Sequence, residues 1–276
     1  VETGAFGNEA YILTGYLNLP KILELTLNDG YDQVSGQQLG LKLGRAEDFA
    51  DYDALFDAFN KQLKHFIDIK IKGSNIIEKI YAREMPVPFL SVMTNDCIAR
   101  GMDYNGGGAR YNTKYLQGVG IGTITDALAS IKYNVYDEHR FTMGELMQAL
   151  DDDFEGHDEL LNQVRSRTPK YGNDDDYADE IMKAVFTSFR SMVSGRPNML
   201  GGMYRINMLP TTCHVYFGEV MMASANGRKA HKPVSEGISP EKGADVNGPT
   251  AVIQSAAKMD HLQTGGTLLN QKFAPD

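Results

Sequence analysis

Between Asp53 and Ala82 apolar residues recur at the spacing of one helical face: Leu55, Phe56, Phe59, Leu63, Phe66, Ile67, Ile69, Ile76, Ile77 and Ile80. A helix that long must lie against something comparably long, so this segment sets the scale of the fold. Gly73 is its weak point, because glycine is a poor helix former. Glu9 to Leu27 also reads as helical through Ile12, Leu13, Tyr16, Ile22, Leu23 and Leu27, interrupted by Gly15 and by Pro20, which can start a turn. This helix is expected to end at Asn28-Asp29-Gly30.

Further along, Phe89 to Thr94 fits either a strand or a helix start, and periodicity does not decide between them. Two glycine runs, Gly106-Gly107-Gly108 and Gly118 to Gly122, bracket a loop and strand over Ala109 to Leu116. Thr125 to Tyr133 reads as a helix with Thr123 or Thr125 as its cap, and Thr142 to Leu150 as another, with Thr142 and Glu145 spaced as a capping box. Asp174-Asp175-Asp176 precedes a helix reaching about Val193, since acidic residues suit the positive end of a helix dipole. Thr211 to Phe217 alternates as a strand. Ser224 to Pro249 is a long Gly- and Pro-containing loop, of a length often associated with function. Strands separated by helices predict an α/β class, with no internal repeat and no linker dividing the chain.

The 276 residues (30.5 kDa) are 42% hydrophobic, enough to bury a sizeable core. A formal charge of -9 and a pI near 5.2 oppose a nucleic-acid binder and leave small molecules as the expected partners. No apolar run is long enough for a membrane span and no signal peptide opens the chain, which leads to the expectation of a cytoplasmic protein. Cys97 and Cys213 are too few for a disulfide framework and read as buried free thiols. The first residue is not methionine, and both termini are expected to be cuts within a longer protein.

The glycine runs complete neither the dinucleotide fingerprint nor a phosphate-binding loop, and glycine's freedom at positive φ or close approach explains them better. The acidic triplets Asp151 to Asp153 and Asp174 to Asp176 read as helix starts or exposed loops, although either could bind a cation. The six histidines are scattered without a zinc pattern, so no metal site is expected.

Six blocks carry more information together than any one alone. They are Gly107-Gly108-Ala109-Arg110-Tyr111-Asn112, Pro169 to Tyr177, Asn226-Gly227-Arg228, Ser235-Glu236-Gly237-Ile238-Ser239-Pro240, Gly248-Pro249-Thr250-Ala251 and Ser255 to Asp260. In this order they resemble the pyruvate formate-lyase-like glycyl-radical enzymes, across nearly the whole chain. The resemblance implies a ten-stranded α/β barrel of two half-barrels, of which this chain would supply mainly the second half, as one partial catalytic domain truncated at both ends. It also implies a Gly-Cys-Val-Glu segment whose last two positions match Val1-Glu2, placing the thiyl-forming cysteine just before the chain. The Arg-Val-x-Gly-Tyr loop with the radical glycine would lie beyond its end.

Within the family, Thr3 follows Glu2 where choline lyases and glycerol or diol dehydratases usually place proline, and the run to Tyr16-Leu17-Asn18-Leu19-Pro20-Lys21 resembles the branch that dehydrates hydroxyproline. Val1 stands where formate acetyltransferases carry a second cysteine. The resemblance therefore implies loss of water from trans-4-hydroxy-L-proline to give pyrroline-5-carboxylate, started by a thiyl radical. It implies no bound cofactor, a glycyl radical installed by a radical S-adenosylmethionine activating enzyme, and a homodimer. By the same resemblance Glu2 would transfer protons, unless it is an N-cap or surface acid, and Tyr16 would contact substrate, unless it only packs. Thr211 or Thr212, at the expected strand start behind Pro210, would hydrogen-bond the substrate's carboxylate or amine. Another lyase of the family, or a non-catalytic fragment stable only against the remainder of a barrel, stays open.

Overall fold

The computed structural model of the chain describes residues 2–3 and 7–273, with Glu2 and Thr3 described by their backbone alone. It opens with β1 (Glu2–Thr3) and β2 (Glu9–Asn18), then α1 (Leu19–Leu27), a small ribbon of β3 (Tyr31–Asp32) and β4 (Gln37–Gln38), and the long α2 (Tyr52–Glu84). Two short helices, α3 (Pro88–Met93) and α4 (Cys97–Arg100), lead to β5 (Tyr111–Val119) and α5 (Ile121–Ile131), which continues as a π-helical turn over Lys132–Asp137. There follow α6 (Met143–Asp151), α7 (Asp158–Ser166), α8 (Asp176–Val193), β6 (Tyr204–Met208), α9 (Cys213–Glu219), α10 (Pro249–Ala257) and β7 (Thr264–Thr267).

One five-stranded sheet organises these elements in the order β1-β2-β5-β6-β7. The short β1 is antiparallel to β2, and the other neighbours are parallel. Parallel neighbours need long crossover connections, and helices supply them here, as an α/β chain requires. The helices cover one face of the sheet. Leu17, Leu116, Ile206 and Met208 point into that layer and join Leu128, Val185, Phe189 and the α2 residues Phe59 and Leu63 in the main core.

The α2 helix buries Leu55, Phe59, Leu63, Ile67 and Ile71, one residue per turn, and then Ser74 and Glu78 on the same stripe. The change to polar residues has a partner: Lys114 of β5 lies 3.4 Å from Glu78, with both side chains buried. Burial pushes the Glu78 carboxyl up and the Lys114 ammonium down, so their mutual attraction compensates lost hydration.

Several sequence expectations hold at residue level. Thr142 and Glu145 form their reciprocal capping box, and the acidic run Asp174 to Asp176 does stand at the start of α8, where Asp175 is the cap; Asp51, which no expectation named, caps α2 by accepting from the Ala54 N–H. Phe89 to Thr94 resolves as helix. Others are corrected. Glu9 to Leu27 is a strand followed by a helix: Asn18 is the N-cap of α1, accepting from the Lys21 N–H at 3.2 Å, with Pro20 in the first turn. Gly120, in the left-handed conformation, starts α5, while Thr123 instead bonds Ser235 and Glu241. Thr211 to Phe217 is not a strand, because the alternating residues that join the sheet are Tyr204–Met208 and the later stretch coils into α9. Ile69, Ile76, Ile77 and Ile80 are each about half exposed, on the side of α2 that nothing covers among the described residues.

Gly73 sits inside α2, and a Cβ placed there would meet nothing within 4 Å. Gly73→Ala should therefore raise unfolding stability by about 1 kcal/mol, the helix-propensity difference, read as a higher urea midpoint at unchanged slope.

Candidate active site on the open sheet face

Paired residues in parallel strands project to the same side, so the register identifies what lines the face without helices. On β5 these are Thr113, Tyr115 and Gln117, and on β6 Arg205 and Asn207, paired with Tyr115 and Gln117. On β2 the same face carries Tyr11 and Leu13, and there the strand changes phase. The register shifts between Leu13 and Gly15, leaving Thr14 as an extra residue whose hydroxyl donates to the Tyr115 carbonyl at 3.2 Å. Gly15 adopts a φ of +144°, which side-chain-bearing residues rarely take, and pairs with Leu116. Tyr16 then pairs with Gln117 and returns to the open face.

The result is a polar, aromatic layer over an apolar core, in which Tyr115, Gln117 and Asn207 are themselves buried. Tyr11 and Tyr115 stack with ring centroids 4.1 Å apart, in space left by Gly265 of β7, where a Cβ would collide with the Tyr115 ring. The Tyr11 hydroxyl takes a hydrogen bond from the Asn207 amide, and the Tyr115 hydroxyl reaches Glu9 at 3.4 Å. Two buried amide oxygens, Gln117 Oε1 and Asn207 Oδ1, have no partner. Each is an acceptor held in place and able to take an N–H or O–H from a bound molecule.

At the carboxyl end of β5, Tyr16, Cys213 and Phe217 pack on Val119, Met221 and Val234. The α9 helix is tied there by the Asn18 amide, which donates to the Phe217 carbonyl at 3.1 Å. The Tyr16 hydroxyl lies beside the Cys213 thiol and the Gln117 side chain, and its pKa is raised, first by burial and then by the thiol. Burial also raises the Cys213 thiol, with Tyr16 pulling it partly back.

Tyr16 is thus on the open face, carried by a strand where a helix was expected. Thr211 and Thr212 lie in the turn before α9, next to Cys213 in the chain, both exposed and with hydroxyls that make no hydrogen bond among the described residues. Neither opens a strand. Glu2 pairs through its backbone with Tyr11, and its side chain lies outside the described residues. Sequence reasoning missed Tyr11, Tyr115, Gln117 and Asn207; the period-two run Thr113, Tyr115, Gln117 was the signal for part of this set. Of the two thiols, Cys97 is buried and Cys213 half-buried. Among the described residues no cluster of three His, Cys, Asp or Glu is placed to hold a metal, and no helix is long and apolar enough to cross a membrane.

Residues 1–218 match the family model described as pyruvate formate lyase-like, and residues 234–276 the model described as glycine radical. The chain is 63% identical over 275 residues to trans-4-hydroxy-L-proline dehydratase of Clostridioides difficile, covering 100% of this chain and 35% of that protein. It superposes with a TM-score of 0.97 on a crystal structure of the C. difficile hydroxyproline dehydratase with trans-4-hydroxy-L-proline bound, over 98% of this chain and 34% of that one. The glycerol-bound B12-independent glycerol dehydratase of Clostridium butyricum superposes with a TM-score of 0.91 at 35% identity, over 96% of this chain and 34% of that one. The chain therefore spans about a third of the length of these relatives.

Replacing Tyr16 by Phe removes the hydroxyl that lowers the Cys213 thiol pKa. The pH profile of Cys213 alkylation by iodoacetamide should shift to higher pH in Tyr16→Phe, with Cys97 serving as the internal reference.

Proposed function

Because the chain belongs to the pyruvate formate lyase-like family of glycyl-radical enzymes, we propose that it forms part of the barrel wall of a dehydratase acting on trans-4-hydroxy-L-proline. The 63% identity to the hydroxyproline enzyme, running through the bulged strand that carries Tyr16, is the observation that carries this reading. The superposition on the glycerol dehydratase at 35% identity supports the shared architecture more than a shared substrate.

In the proposed reaction a cysteine thiyl, generated from a glycyl radical, supplies hydrogen abstraction at the carbon beside the ring nitrogen. Neither Gly-Cys-Val-Glu nor Arg-Val-x-Gly-Tyr occurs within these 276 residues. The contribution of this chain is to bind and orient. Tyr16 would contact the substrate, and the free oxygens of Gln117 and Asn207 would accept from its ring ammonium or hydroxyl. Thr211 or Thr212 would donate to its carboxylate from the turn before α9. Glu2 would take or return the proton that accompanies departure of the hydroxyl as water, and returning hydrogen would leave pyrroline-5-carboxylate. The protein would be a cytoplasmic homodimer activated by a radical S-adenosylmethionine enzyme. The half-exposed Ile69, Ile76, Ile77 and Ile80 fit this picture as a surface for other segments of the barrel.

The longer protein carrying this chain, activated anaerobically, should convert trans-4-hydroxy-L-proline to pyrroline-5-carboxylate and leave propane-1,2-diol untouched. Turnover of the diol alone would reject the substrate assignment. Tyr16→Phe should lower kcat/KM for hydroxyproline by about tenfold or more, as loss of a positioning contact does.

A further inference from the structure

Three of the sequence blocks meet at a place other than the open face. Lys170, the Asn226-Gly227-Arg228 turn and the segment from Ser235 to Glu241 surround a cleft of about 940 Å3, with Asp126 of α5 in its wall. The cleft lies at the carboxyl end of β5, where α5 begins, a position at which parallel α/β sheets commonly take ligands.

Two groups there are buried and unspent. Lys170 is 8% exposed, and its ammonium has no hydrogen-bond partner. Asp126 is fully buried; one carboxyl oxygen accepts from the Tyr171 N–H at 2.8 Å, and the other, Oδ2, has no partner. The two attract each other without a direct bond. Arg228, Arg165 and Glu241 beside them are engaged. Arg228 donates to Ser224 Oγ and to the carbonyls of Met222, Lys229 and Lys232, while Arg165 donates twice to the Gly227 carbonyl. Glu241 accepts from the Thr123 hydroxyl.

We infer that this cleft is a binding site for a small monocarboxylate, whose two oxygens take the Lys170 ammonium and a proton carried by Asp126. Cations outnumber carboxylates around the cleft, with Lys229, Lys232 and Lys242 adding to Lys170, Arg165 and Arg228 against Asp126, Glu236 and Glu241, which favours an anion. The donors left over are few and suit a two-oxygen monoanion better than a phosphate, which needs a larger set. Burial pushes the Asp126 carboxyl up to about 7, against the pull of Lys170 and the Tyr171 N–H, with Glu241 and Asp179 of α8 adding to the rise. Arg165 faces Lys170 and Arg228 faces Glu241 across the same space. Below that value Asp126 carries the donated proton. Above it Asp126 is a second anion that repels the ligand.

The inference is independent of the proposed dehydration and is tested on a protein of the relatives' full length that carries this chain, by calorimetric titration with sodium acetate, with sodium chloride at matched ionic strength as the reference. The expected result is saturable acetate binding near pH 5.5 that weakens about tenfold or more near pH 8.5, as a donor becomes an anion. Lys170→Met should abolish the binding, and Asp126→Asn, which donates at every pH, should keep it and lessen the pH dependence, the remainder coming from Lys170, whose ammonium burial pushes down. Acetate heats no different from chloride in the unaltered chain would overturn the inference, as would Lys170→Met binding acetate undiminished. So would crystals grown in acetate that show only water at Lys170. Should Lys170→Met fail to fold by circular dichroism, Asp126→Asn decides: a pH dependence unchanged from the unaltered chain rejects the site.

Discussion

The one-residue bulge at Thr14 is the constraint on which the rest of this structure depends. A strand pairing in parallel with β5 without interruption would put Leu13, Gly15 and Leu17 on the open face and drive Tyr16 into the helices. The extra residue reverses the phase, so Leu17 joins the core while Tyr16 lies beside Gln117. Gly15 makes the reversal possible, since a φ of +144° is one that side-chain-bearing residues rarely adopt. The same strand end carries Asn18, which caps α1 and fastens α9 through the Phe217 carbonyl, so one local irregularity sets the positions of Tyr16, Cys213 and the turn holding Thr211 and Thr212.

The sheet then separates two environments. Its covered face is largely apolar, and the buried Lys114 on it is matched with Glu78 of α2. Its open face concentrates tyrosines and carboxamides that do not pair off completely. Unsatisfied buried oxygens are costly in a protein interior, so Gln117 Oε1 and Asn207 Oδ1 are informative where they stand, beside Tyr16 and Tyr11 on the face proposed above to take substrate. The cleft at Lys170 and Asp126 shows the same pattern at the start of α5, with charged instead of neutral groups.

What could be read from the sequence follows physical lines. The α2 stripe, the Thr142–Glu145 capping box and the acidic start of α8 were legible because each is written within a few turns of chain. The family was legible from blocks that keep their order. The strand β2 was not, because Ile12, Leu13 and Tyr16 satisfy a helical spacing and the bulge breaks the period-two alternation that would have argued against it. Thr211 to Phe217 alternates, yet the neighbouring Tyr204–Met208 holds the place beside β5. The half-exposure of Ile69 and Ile76 was hidden because one helix can carry apolar residues on two sides, and only packing tells which is buried. The stacked Tyr11 and Tyr115 and the orphaned amides depend on cross-strand register, which no single segment encodes.

The most direct test of the central assignment is where hydroxyproline sits. Crystals of the longer protein soaked with trans-4-hydroxy-L-proline should show the ring on the open face within hydrogen-bonding reach of Tyr16, with Gln117 or Asn207 accepting from it. Density found only outside that face, or an open face that takes propane-1,2-diol and excludes hydroxyproline, would contradict the account.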